Sequence, residues 1–231
     1  MAVESPVSQR LTVTALLLLT FATGLVDSVS VLVLGHVFVA NMTGNVIFLG
    51  FWLVPHSGVD LVAAVVSFAS FVAGAVLGGR LARHLDDNVR RWLAVALGTE
   101  IVVLVTLSIL AGAGVLQYQG GGGRLILIAG LAVVFGSQNA TARQFGVQEL
   151  STTVLTQTIV GLGLDSRLAG GTGQREKLRF GVILSMCGGA AVGATMTLWT
   201  VAPVIAIAAA AVAASVAIFA FGTARDPSAS N

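Results

Sequence analysis

Six runs of mainly apolar residues, at 11–34, 61–79, 92–116, 125–142, 180–200 and 201–221, alternate with polar connections. Each run is near the roughly 20 residues that one helical crossing of a bilayer requires. The pattern predicts an all-α fold: a polytopic membrane helix bundle of six transmembrane helices, forming a single domain over 1–231 with polar tails at 1–9 and 223–231. The last two runs leave room only for a tight turn at 200–203, where Pro203 presets a backbone angle for a helix start. Trp199 at that turn and Trp92 at the start of the third run are expected to anchor the helices at the interface. The first run is longer than a signal peptide's apolar core and has no clear small-residue cleavage site, so it reads as an uncleaved span.

Two apolar pieces are too short to cross. One follows Asn41-Met42-Thr43-Gly44-Asn45 and ends before Pro55; the other follows the polar stretch at 150–158 and includes Ile159 to Gly163. Such pieces are tolerated as re-entrant segments or broken helices where protein or a watery cavity satisfies the backbone. The surrounding residues share a faint pattern: Gly24-Leu25-Val26-Asp27 parallels Gly136-Ser137-Gln138-Asn139, and 43–50 parallels 156–163. With three spans per half, repeat halves at 11–115 and 124–222 would enter the membrane in opposite orientations, an inverted 3+3 repeat with interrupted segments.

Composition supports lipid as the main solvent. The 231 residues are 56% hydrophobic and 10% charged, against the roughly 25% charged residues of ordinary soluble domains. Mean hydropathy is +0.95. The 12 Lys and Arg and the net charge of +2 form no basic patch interleaved with aromatics, so nucleic acid is not an expected partner. Their positions carry a different message. Arg10, Arg80, Arg83, Arg90, Arg91, Arg143, Arg167, Arg175, Lys177, Arg179 and Arg225 all fall on one side of the six-span arrangement, and only Arg124 falls on the other. Basic residues favour the cytoplasmic side, so both termini are expected in the cytoplasm.

Against this background the polar residues inside the spans stand out. Asp27 lies within the first run and Glu100 within the third, and each should face the bundle interior or a wet cavity because an ionised carboxylate in lipid is costly. Asn41, Thr43 and Asn45 supply donors and acceptors around Gly44, whose missing side chain permits an unusual backbone path. Gly24 and Gly136 give similar latitude beside Asp27 and Gln138. Ser137, Gln138, Asn139 and Thr141 repeat the polar pattern in the fourth run, and Ser151, Thr152, Thr153, Thr156, Gln157 and Thr158 continue it. The candidate substrate or ion pathway is therefore Asp27, Asn41, Thr43, Asn45, Glu100, Gln138, Asn139 and Thr156. The alternative is that these groups cap and cross-link broken segments. Small residues recur every fourth position at Ser70, Gly74 and Gly78 and at Gly181, Ser185, Gly189 and Gly193, predicting close helix packing.

Other chemistry finds little support. No phosphate-binding glycine loop, His-Glu-x-x-His sequence or dinucleotide fingerprint is present. No nucleophilic triad, cofactor or metal site is nominated, and His36, His56 and His84 lack a convincing ligand spacing. Asn41-Met42-Thr43 matches the glycosylation pattern, but its apolar setting argues against use. Cys187, the single cysteine, excludes a disulfide framework and is expected to be a small core residue.

Gly24-Leu25-Val26-Asp27, Gly35 to Phe38, Asn41-Met42-Thr43-Gly44-Asn45 and Leu49-Gly50 resemble the YoaK-like family of bacterial integral membrane proteins, a domain of unknown function. Phe135 to Ala140 with Arg143, and Ser151 to Thr156 with Thr158, extend the resemblance over most of the chain. It implies a multi-pass protein of the bacterial inner membrane, with shared motifs at Asp27, Asn41, Thr43, Asn45, Gln138, Asn139 and Thr156. It supplies no catalytic role. The expected function is non-enzymatic: a small secondary transporter or permease for an unidentified solute or ion, with Asp27 taking a proton or contacting a cationic solute. A membrane binding or assembly protein and a passive channel are the alternatives. Lipid is the expected surrounding partner, and a homo-oligomer is compatible with the composition.

Overall fold

A computed structural model describes residues 5–54, 58–85, 87–145, 155–173 and 175–223. Among these, α1 (Gln9–Val29) continues through a π-helical segment, Ser30–Leu34, and α2 (Met42–Gly50) is short and followed by one 3-10 turn, Phe51–Leu53. Then come α3 (Leu61–His84), α4 (Val89–Gly112), α5 (Gly121–Arg143), the short α6 (Leu155–Leu164), α7 (Glu176–Met196) and α8 (Ala202–Phe221). Six of these elements are long and apolar enough to cross a membrane, counting α1 with its π-helical extension. The fold is an all-α polytopic bundle.

Helix ends shift from the apolar pattern for local reasons. The third helix begins at Leu61, where the Asp60 side chain accepts from Ala63 N at 3.0 Å, and runs past 79 to His84. Arg80, Arg83 and His84 extend it because long cationic side chains reach water while the backbone stays helical, and cations suit a helix C-terminus. The Asn88 side chain likewise caps α4, accepting from Arg91 N at 2.9 Å. That helix stops at Gly112 rather than 116, just before Gly114 takes φ 71°. The seventh ends at Met196 rather than 200, leaving 197–200 for the turn ahead of Pro203 in the first turn of α8.

Two single-residue expectations are corrected. Trp92 is not an interfacial anchor: it is buried and stacks on Phe145 at 5.9 Å, which stacks on Phe219 at 5.7 Å. Phe145, just past the end of α5, covers it and is itself backed by Phe219 of α8, so the three rings close one end of the core. Cys187 is exposed rather than buried. It follows Ser185 by two positions, roughly 200° round α7, and the Ser185 face is the one turned inward.

Small residues set the closest helix contacts. A Cβ at Gly24 would strike Met186 O, one at Gly189 would strike Phe21 O, and one at Gly193 would crowd Leu25 O, so α1 and α7 lie backbone to backbone. The Ser185 hydroxyl donates to Leu17 O at 2.6 Å on the same seam, and Gly181 faces Leu17. Between α3 and α5, a Cβ at Gly136 would strike Phe71 O, one at Gly74 would strike Val133 O and one at Gly78 would crowd Ser137 O; Ser70 is half-buried one turn before Gly74. Glycine is required at these positions because any side chain would push the backbones apart. Both helix pairs are parallel. By contrast α4 runs antiparallel to α8, with Ser108 donating to Ala202 O at 2.7 Å and Arg90 to Ala220 O at 3.3 Å. The eighth helix is antiparallel to α1, where Ser215 donates to Ala15 O at 2.9 Å and Gly222 faces Val7. Hence α1, α4 and α7 point one way, and α3, α5 and α8 the other.

Candidate functional site

After Leu34 the chain reverses. Gly35 has φ 131° and His36 φ 58°, a left-handed conformation uncommon for a residue with a side chain. The next residues fold back beside α1 to the level of Asp27, seven positions and about 10 Å below Leu34. Asp27 Oδ1 accepts from Val39 N at 2.8 Å and Ala40 N at 2.9 Å, and Oδ2 accepts from Asn41 Nδ2 at 2.5 Å. Asn45, in the first turn of α2, holds the other side of the loop. Its Oδ1 accepts from Phe38 N at 2.8 Å, while Nδ2 donates to Phe38 O at 2.6 Å and Ser67 Oγ at 3.1 Å. Ser67 Oγ donates to Phe38 O at 2.5 Å. The Phe38 ring lies where a Cβ on Gly44 would be. Residues 36–41 therefore form a re-entrant loop whose backbone is satisfied by buried side chains, as an apolar surrounding demands.

The structure thus unites Asp27, Asn41, Gly44 and Asn45, but leaves Thr43 exposed. On the facing α5, Gln138 Nε2 approaches Thr23 Oγ1 at 3.4 Å, one turn from Asp27, and Asn139 Nδ2 donates to Phe135 O at 2.9 Å. Thr156 is exposed and Thr158 is buried, so the polar face of α6 that turns inward is one notch away from the expected one. Ser151, Thr152, Thr153 and His56 lie outside the described residues. Short α2 packs on α3 and α6 on α7, where Arg179 Nη1 donates to Gly161 O at 2.5 Å and pairs with Asp165 Oδ2 at 2.7 Å. Because α3 and α7 start at opposite ends of the bundle, the two interrupted segments enter from opposite ends.

Glu100 is buried within α4, and both of its oxygens lack a hydrogen-bond partner. In the first turn of α5, the isolated basic residue of the far side has a purpose: Arg124 forms an ion pair with Asp60, just before α3, and a Cβ on Gly35 would sit 3.2 Å from its Nη1. Partial desolvation raises the Asp60 pKa, but the Ala63 amide and the Arg124 guanidinium outweigh it and hold the carboxyl below its ordinary value. At the opposite end, a recess of about 770 Å³ between α1 and α7 is lined by Arg10, Arg167, Arg175 and Lys177 together with Glu176. Among the described residues no three His, Cys, Asp or Glu side chains gather where they could hold a metal.

Residues 15–218 match the family described as "Protein of unknown function (DUF1275)". The chain belongs to this family. It is also 30% identical over 152 residues to the UPF0700 transmembrane protein YoaK of Bacillus subtilis (strain 168), an alignment covering 64% of this chain and 64% of that protein. No solved structure matches. That relative is described as a transmembrane protein, and the six apolar helices of this chain agree with a multi-pass membrane location.

Several residues of the site were not singled out by sequence. Ser67 was discoverable as a hydroxyl inside the apolar 61–79 run, and Asp60 as a capping carboxylate just before it. Thr23 and Arg179 gave no comparable signal, since a threonine in a span usually bonds its own helix and a basic residue before a span is usually solvated.

Proposed function

We propose that the protein is a small secondary permease of the bacterial inner membrane, non-enzymatic, with two halves of opposite orientation and both termini in the cytoplasm. The observation that carries this reading is the register of the close contacts. Gly74 against Val133, Gly78 against Ser137 and Phe71 against Gly136 correspond to Gly189 against Phe21, Gly193 against Leu25 and Met186 against Gly24. Each α3 residue is matched 115 positions later in α7, and each α1 residue 112 positions later in α5. Three interlocking contacts in matched register support a duplication, and the short segments entering from opposite ends suit a duplicated transporter. The solute path would run along the α1–α5 seam, past Thr23 and Gln138.

A thermal-shift screen of the purified full chain against amino acids, sugars, organic ions, nucleobases and metals, followed by uptake into reconstituted vesicles, tests this. A stabilising solute that accumulates supports it; uptake no faster than in protein-free vesicles for every stabilising solute removes it. Conductance without coupling to a second gradient would point to a channel. Orientation is read by thiol labelling in a Cys187→Ala background. Asp87→Cys should label from the cytoplasmic side and Gln117→Cys from the other, and the reverse would overturn the assignment.

A second reading, a membrane binding or assembly protein, is favoured by one observation: Asp27, Asn41 and Asn45 spend their polar atoms holding the 36–41 loop. On that reading Asn41→Ala and Asn139→Ala lose folding or oligomerisation together with any phenotype. Stable variants that lose only solute binding favour transport.

A further inference from the structure

Glu100 is the buried group that nothing above employs. It is 2% exposed, and two contacts locate it between α4 and α5. Toward one end Leu107 lies against Gly130; toward the other Trp92 stacks on Phe145 at 5.9 Å. Moving seven residues along α4 from Leu107 to Glu100 covers about 10 Å, and seven along α5 from Gly130 to Ser137 covers the same. Counting eight from Trp92 and eight back from Phe145 gives the same pairing. Glu100 therefore stands level with Ser137 and Gln138. Two turns from Leu107, it also shares the α4 face applied to α5. Helical side chains lean toward their own N-terminus, and these helices are antiparallel, so Glu100 and Thr141 lean toward each other.

Two further buried atoms there lack partners, Gln138 Oε1 and Thr141 Oγ1. The Gln138 nitrogen already faces Thr23 Oγ1, whose own hydrogen goes to Leu19 O at 3.0 Å, so the oxygen is the end of that amide left over. Four oxygens at this level lack partners, and the Thr141 hydroxyl and the second N–H of the Gln138 amide are the hydrogens these groups carry. An ionised carboxylate here is an uncompensated charge in a low-dielectric interior. One proton on Glu100 adds a donor among these acceptors and removes the charge.

No neighbour supplies a compensating cation at this level among the described residues. The α8 helix carries no titratable side chain; α5 carries only Arg124 and Arg143, at its ends; α4 itself has Arg90 and Arg91 in its first turn. Near the end of α3 are Arg80, Arg83 and His84, and Arg80 is exposed, about 200° round from the Gly78 face that meets α5. On α1, Arg10 lies at the helix start, and the Asp27 oxygens are occupied by three N–H donors.

We propose that Glu100 holds a proton inside the membrane, shared with Gln138 and Thr141, and is the protonatable site of this protein in place of Asp27. Any part in coupling rests on the permease reading. The protonation does not, and it is measurable with no solute present. Infrared spectroscopy of the full chain in bilayers at neutral pH should give a protonated-carboxyl C=O band that persists in Asp27→Asn and is lost in Glu100→Gln. Gln138→Leu and Thr141→Val keep Glu100, so the band should remain but change frequency as hydrogen bonds are removed. These variants decide the matter should Glu100→Gln fail to fold: an unchanged band in both overturns the shared site. So does absence of the band in the wild type, its survival in Glu100→Gln, or its disappearance on adding sodium at fixed pH, which would assign the site to a metal cation. Failed uptake with the band intact overturns the permease reading alone.

Discussion

Replacing Asp27 by Ala removes the acceptor of bonds from Val39 N at 2.8 Å, Ala40 N at 2.9 Å and Asn41 Nδ2 at 2.5 Å. The two backbone donors belong to residues with no exposed surface, so water does not readily replace the carboxylate. Each buried donor left unsatisfied costs roughly 1–3 kcal/mol, and bonds to a charged acceptor fall toward the upper part of that range. The loss is not additive, because the loop can relax once released, so about 3–5 kcal/mol is expected overall. Asp27→Asn is a different perturbation. It keeps Oδ1 for both backbone donors and requires only that the Asn41 amide turn over to present its oxygen, costing about 1 kcal/mol. For a chain of this size each kcal/mol moves the unfolding midpoint by roughly 2–4 °C. Thermal unfolding of the purified proteins should therefore place Asp27→Ala on the order of 10 °C below wild type and Asp27→Asn only a few degrees below. Equal midpoints for Asp27→Ala and wild type would refute the anchoring role. Equal damage from the two variants would show that charge, not the acceptor geometry, matters.

Gly74→Val and Gly189→Val should each lower the midpoint by an amount equivalent to at least about 1–3 kcal/mol, because both place a side chain into a facing backbone; Gly98→Ala, with open space around it, should raise stability by up to about 1 kcal/mol. Unfolding followed against pH should show the Asp60–Arg124 pair contributing about 1 kcal/mol or less, since both side chains are about a quarter exposed. The folded Asp60 pKa is depressed, so that contribution is present above the ordinary carboxylate range and is lost as pH falls through the folded value; Asp60→Asn should remove this pH dependence.

Much of the helix arrangement was legible because lipid imposes a coarse rule: a span must be apolar for about 20 residues, and charge must lie outside it. The six elements and the two interrupted pieces follow from that rule, and the four-residue spacing of small residues marks the glycine faces of α3 and α7. Trp92 and Cys187 were misplaced because sequence gives a residue's depth but not its side of the helix. Thr43 and Thr156 fell outside the buried polar groups for the same reason, since one step along a helix turns a side chain by about 100°.

By itself, the sequence determined the solvent, the number of crossings and which polar residues required an explanation, since each depends on local composition measured against bilayer thickness. Only the tertiary structure decided how those residues differ. Asp27 and Asn45 meet the backbone of a returning loop, while Glu100 and Gln138 retain oxygens with no donor. Both carboxylates look alike along the chain. Their chemistry diverges because hydrogen-bond satisfaction depends on what other helices and loops bring within about 3 Å, a relation between distant residues that no local pattern contains.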